Sequence, residues 1–98
     1  MTPEVAEMIA RLREHMPLLA EKYHVRGLEI FGSYVHGRQK RGSDVDILVE
    51  FSETVDLFTF LELQDALGRI LGLRVDLVMK EALKPRIREK ILKEAQAV

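Results

Sequence analysis

Apolar residues recur at three- and four-residue steps from the start of the chain. Val5, Met8, Ile9, Leu12, Met16, Leu19 and Tyr23 form one stripe, the period of a helix with a single buried face. Thr2 can cap this helix, Pro3 suits its first position, and Glu4 faces the positive end of its dipole. Pro17 predicts a kink or break, because its ring removes a helical hydrogen bond. The period then changes. "GLEIF", "DVDILVEF" and "LRVDLVM" read as three strands, with a helical turn expected from Ser33 to about Gly37. Between the second and third strands, Phe60, Leu61, Leu63, Leu67 and Ile70 predict a buried helical stripe from about Asp56 to Leu71, stopped by Gly72. A last helix, "PRIREKILKEAQAV", is expected to start at Pro85 with Ile87, Ile91 and Ala95 on one side.

Strand alternation adds the orientation of the faces. Val45, Ile47 and Val49 point one way, and Asp44, Asp46 and Leu48 point the other. In the third strand Leu73, Val75 and Leu77 are apolar, with Asp76 opposite. The simplest packing is an α/β (α+β) arrangement: a small mixed sheet of about three strands, helices on one face and carboxylates on the other.

Composition sets bounds around this picture. Ninety-eight residues with 47% hydrophobic and 32% charged content predict one domain over residues 1–98. A net charge of −1 gives no general attraction to nucleic acid or membrane, so direct nucleic-acid binding is not expected. With no cysteine, disulfides, thiol nucleophiles and thiolate metal sites are excluded. No apolar run approaches membrane-spanning length and no signal-peptide pattern opens the chain, so the expected location is cytoplasmic.

The acids now need an explanation. Strands disfavour Asp, and like charges on one face repel; yet three of the five aspartates, Asp44, Asp46 and Asp76, fall in strand-like runs. Residues at i and i+2 on a strand lie about 6.5–7 Å apart on the same face, so two carboxylates at that spacing can share divalent ions. A third oxygen donor from a neighbouring strand completes a site for a hard cation such as Mg2+. Two such ions stabilise both the attacking and the leaving oxygens of an in-line phosphoryl displacement. Gly32 ends a strand and lets the backbone approach a ligand, and Ser33 opens the next turn with N–H groups and a hydroxyl suited to phosphate. A Gly-Ser pair alone is common turn chemistry, and a lone DxD is commonly a strand end. Their combination is far more specific.

Gly32-Ser33, ten residues, then Asp44-Val45-Asp46, with Asp76 in a later strand, resembles the nucleotidyltransferase superfamily related to DNA polymerase β. The length of the chain, with "GSDVDILVEF", "DLFTFLELQDALGRILG" and "RVDLVMKEALKP", resembles the minimal nucleotidyltransferase (MNT) antitoxins across nearly the whole sequence. That resemblance implies a polymerase β palm-like fold and a HEPN-domain RNase toxin as partner. It implies an Mg2+-dependent adenylyltransferase that moves AMP from ATP to a tyrosine of the toxin. Asp44, Asp46 and Asp76 would be catalytic and hold two Mg2+ ions, and Gly32 and Ser33 would hold the triphosphate. A departure stands at His36, where family members often carry Arg.

The remaining polar residues divide between readings. Ser43 either hydrogen-bonds near the phosphates or starts its strand, and His36 either serves loop structure or touches nucleotide. The basic loop residues Arg38, Lys40 and Arg41 are either solvated or reach nucleotide or partner. Tyr23 and Tyr34 read as packing or surface residues, and His15 and His24 as surface residues. Two other functions fit the same residues. One is a non-catalytic antitoxin that masks its toxin by binding. The other is a nucleotidyltransferase acting on a small molecule or RNA, although such relatives usually carry a second domain for the acceptor.

Overall fold

The computed structural model describes residues 2–98. Helix α1 spans Pro3–Tyr23, and the Val5 N–H donates to Thr2 Oγ1 at 3.1 Å, the expected cap. The helix is not broken at Pro17. Buried Leu12 lies before the proline and buried Leu19 and Tyr23 after it, so packing on both sides outweighs a local cost of about 3 kcal/mol. Strand β1 (Val25–Phe31) leads into a 3-10 turn at Gly32–Tyr34, and strand β2 spans Val45–Phe51.

Helix α2 (Leu57–Leu71) begins at Asp56, whose Oδ1 accepts from the Thr59 N–H at 2.7 Å. It ends at Gly72 in the left-handed conformation, φ 67°. Its buried residues are Leu63, Leu67 and Leu71, whereas Leu61, expected in the buried stripe, is 47% exposed. Strand β3 covers Val75–Met79, helix α3 Pro85–Glu94 and strand β4 Gln96–Ala97.

The sheet has four strands in the order β3-β2-β1-β4. β1 is antiparallel to β2 and β4, and β2 is parallel to β3. This corrects two expectations: about three strands, and a last helix reaching the final residues. The physical reason is the outer edge of β1, whose backbone groups need partners. Gln96 and Ala97 pair with Ile30 and Glu29, and the Val98 N–H donates to the Leu28 carbonyl at 3.0 Å. Backbone pairing there overrides the helical propensity of the terminal residues. Helix α3 packs loosely: it has no buried residue, and Ile87 is 48% exposed.

The core lies between one sheet face, with Leu28, Ile30, Val45, Ile47, Val49 and Leu77, and the helices α1 and α2. Leu63 is fully buried within it. Leu63→Ala is expected to cost about 2–5 kcal/mol, read as a lower denaturant midpoint at unchanged slope. The opposite sheet face is not purely acidic. Leu48, paired with Glu29 and Val78, is 1% exposed although it lies outside the main cluster. Lys80 Nζ reaches Glu29 Oε1 at 3.3 Å across this row of the sheet. Among the described residues, no helix is long and apolar enough to cross a membrane.

Candidate active site

Parallel pairing of β2 with β3 sets Asp46 directly beside Asp76, and antiparallel pairing with β1 sets Phe31 on its other side. Two of the three predicted acids therefore stand on adjacent strands at one level. Asp44 lies just before β2, two residues from Asp46. The half-buried Asp46 has its pKa raised, first by burial and then by the charges of Asp76 and Asp44. Like charges at this spacing disfavour the ionised form of Asp46, and a bound cation would relieve that repulsion.

Gly32 follows β1 at φ +79°, and a Cβ there would overlap Asp46 Oδ2 and stand 3.0 Å from its Cγ. Close approach of a ligand was the expected reason for this glycine. The group that already lies close is the Asp46 carboxylate, so Gly32 joins the Gly-Ser turn to the acids. Ser33 lies in the 3-10 turn, where its carbonyl accepts from the Arg38 N–H at 2.8 Å. Ser43 Oγ accepts from the Lys40 N–H at 2.8 Å, bracing the loop before β2. Tyr34 is buried, its hydroxyl donates to the Ser43 carbonyl at 3.4 Å, and burial, then Glu4 and Asp44, raise its pKa. His36 Nε2 lies 2.8 Å from Glu94 Oε2, which ties the turn to the end of α3. Arg38, Lys40 and Arg41 flank this turn in the loop that leads to β2.

Sequence reasoning missed Arg74. Its Nε lies 3.1 Å from Asp44 Oδ1, and its Nη2 donates to the Gly42 carbonyl at 3.0 Å. A signal was available: Arg74 precedes Asp76 by the same two residues that separate Asp44 from Asp46. Parallel pairing in that register therefore brings Arg74 level with Asp44. Gln64 was also missed. Its Oε1 accepts from the Leu77 N–H at 3.1 Å on the outer edge of β3. A groove of about 410 Å³ opens between α2 and β3, with Asp44, Leu61, Gln64, Arg69, Arg74 and Val75 in its lining.

The residues suit a divalent metal by donor chemistry. Three carboxylates supply the hard oxygen donors such an ion takes, Asp46 stands beside Asp76, and the glycine leaves Asp46 space that any Cβ would fill. As they stand, no three acidic or histidine side chains among the described residues converge on one point. Asp44 is instead turned to Arg74.

Residues 12–98 match the nucleotidyltransferase domain family. The chain is 49% identical over 88 residues to the protein adenylyltransferase MntA of Thermococcus cleftensis, covering 90% of this chain and 89% of the relative. A chain described as a minimal nucleotidyltransferase superposes with a TM-score of 0.73 at 35% identity, covering 94% of this chain and 92% of that one. A toxin–antitoxin crystal structure with AMP-PNP superposes with a TM-score of 0.69 at 28% identity, covering 87% of this chain and 69% of that one. A match that runs from the middle of α1 through every strand takes in the whole carboxylate site: this chain belongs to the nucleotidyltransferase domain family, among its minimal members.

Proposed function

We propose that this protein is the antitoxin of a HEPN/MNT pair, transferring AMP from ATP to a tyrosine hydroxyl of its cognate HEPN RNase in the cytoplasm. The observation that carries the reading is the pairing of Asp46 with Asp76 directly beside Gly32. The kinship with a protein adenylyltransferase and the fold shared with a toxin–antitoxin structure holding AMP-PNP support it.

In this reading Asp44, Asp46 and Asp76 would hold Mg2+, two ions in all, and Gly32, Ser33 and Ser43 would bind the nucleotide. Bound divalent cations neutralise phosphate charge and lower the pKa of an attacking hydroxyl. A tyrosine hydroxyl, with a pKa of about 10, needs that help at neutral pH. Backbone N–H groups of the Gly32–Ser33 turn receive the triphosphate. Asp76, on the strand at the sheet edge, accepts a hydrogen bond from the incoming hydroxyl and takes its proton. The phenolic oxygen forms the bond to the α-phosphorus, and pyrophosphate leaves with the electrons of the broken P–O bond.

Mass spectrometry of the toxin after incubation with ATP and Mg2+ tests this directly. Wild type should add the mass of AMP to a tyrosine, and Asp44→Asn with Asp46→Asn should add none. Protection of cells by wild type without any adduct would replace the reading with simple masking. A binding measurement should agree. ATP with Mg2+ is expected to raise the melting temperature of the wild type but not of that double variant, and an equal shift in both would remove the carboxylates from the metal site.

A further inference from the structure

Arg74 takes no part in the proposed transfer, yet it holds one of the three acids. A guanidinium has five donors and no acceptor capacity. The Nε–H lies 3.1 Å from Asp44 Oδ1 while Nη2 is anchored on the Gly42 carbonyl at 3.0 Å. The backbones of the two segments are joined as well, because the Val45 N–H donates to the Arg74 carbonyl at 2.8 Å. The pair is therefore assembled by strand pairing and by a second hydrogen bond, not by a chance meeting of two long side chains.

A metal ion would need the same carboxylate. The guanidinium occupies a lone-pair direction on Asp44 Oδ1 and sets a positive charge where a cation would approach. Resting on the reading of the acids as a metal site, we propose that Arg74 is a positioning residue that latches Asp44 until a cation displaces it. This accounts for a feature of the geometry: Asp44 is turned to Arg74, and the three acids do not converge on one point among the described residues. Once released, Arg74 stands at the groove between α2 and β3, whose lining already includes it.

The latch is weak by construction, with side-chain exposures of 79% for Arg74 and 48% for Asp44, so a metal can open it. Exposed ion pairs of this kind change an equilibrium by about two- to fivefold. The test titrates Mn2+ into the full chain, without nucleotide and again with a non-hydrolysable ATP analogue. Uptake is followed by the loss of the free Mn2+ paramagnetic signal. Arg74→Ala should lower the half-saturating Mn2+ concentration by about two- to fivefold, and Arg74→Lys, which keeps the charge but loses the planar fork, should lower it less. The gap between wild type and Arg74→Ala should close at about 1 M KCl, where screening acts over about 3 Å. A purely structural role for Arg74 would not produce that salt dependence. An unchanged or higher midpoint in Arg74→Ala overturns the latch. Wild type that takes up no Mn2+ under either condition overturns the metal reading itself, a result distinct from the first.

Discussion

Asp46→Asn and Asp76→Asn are each expected to abolish AMP transfer, but to differ in everything else. Removing a group that stabilises developing charge costs on the order of a hundredfold or more in rate, and neither Asn can serve as an ionised ligand. Asp46 sits between its two acidic neighbours and beside Gly32, so its loss should also remove the nucleotide-dependent thermal shift. Asp76 lies on the sheet edge, on the acceptor side in the proposed scheme. Its Asn variant should retain substantial ATP binding while losing transfer. Loss of both properties in Asp76→Asn would place that residue with the triphosphate instead.

Asp46→Asn should in addition stabilise the metal-free protein. The folded-state pKa of Asp46 is raised above its ordinary value by burial and by Asp76 and Asp44. Between the ordinary and the raised value the folded state binds a proton that the unfolded state does not. Stability therefore falls as pH rises through that window. Asn has no proton to lose, so melting curves in EDTA from about pH 4 to 7 should decline less steeply for the variant. A steeper decline, or a lower melting temperature at neutral pH, would show that Asp46 is held by favourable contacts, not crowded by charge.

Gly32→Ala is expected to disable the enzyme through a single methyl group. The added Cβ would overlap Asp46 Oδ2, so that carboxylate must move or the turn must open. The backbone adds its own cost: φ is +79°, and a left-handed conformation costs a residue with a Cβ roughly 1–2 kcal/mol. Transfer should fall to background and the melting temperature should drop. Gly37→Ala is the control. That glycine has φ +66° but open space where a Cβ would stand, so it should lose stability from the backbone alone and keep its transfer activity. Near-normal transfer by Gly32→Ala would mean that contact with Asp46 is dispensable.

Features that depend on near neighbours along the chain were legible in the amino-acid order alone. Thr2, Asp56 and Gly72 bound α1 and α2 where expected, because capping is settled within a few residues. Alternation set Asp46 opposite the core-facing Val45 and Ile47, and the Gly-Ser to Asp spacing picked out Gly32 and Asp46, which the fold brings against each other. Features that depend on partners far away in sequence emerged only with the packed molecule. β4 forms because β1 offers an open edge, not because Gln96 and Ala97 favour a strand. Leu48 is buried on the face assigned to acids, where Lys80 and Glu29 meet across the row. The register that sets Asp46 beside Asp76, the contact that requires glycine at Gly32, and the ion pair between Arg74 and Asp44 all arise between separate strands. Alternation within a strand fixes which face is buried and so limits the register to steps of two residues; pairing across the whole sheet chooses among them.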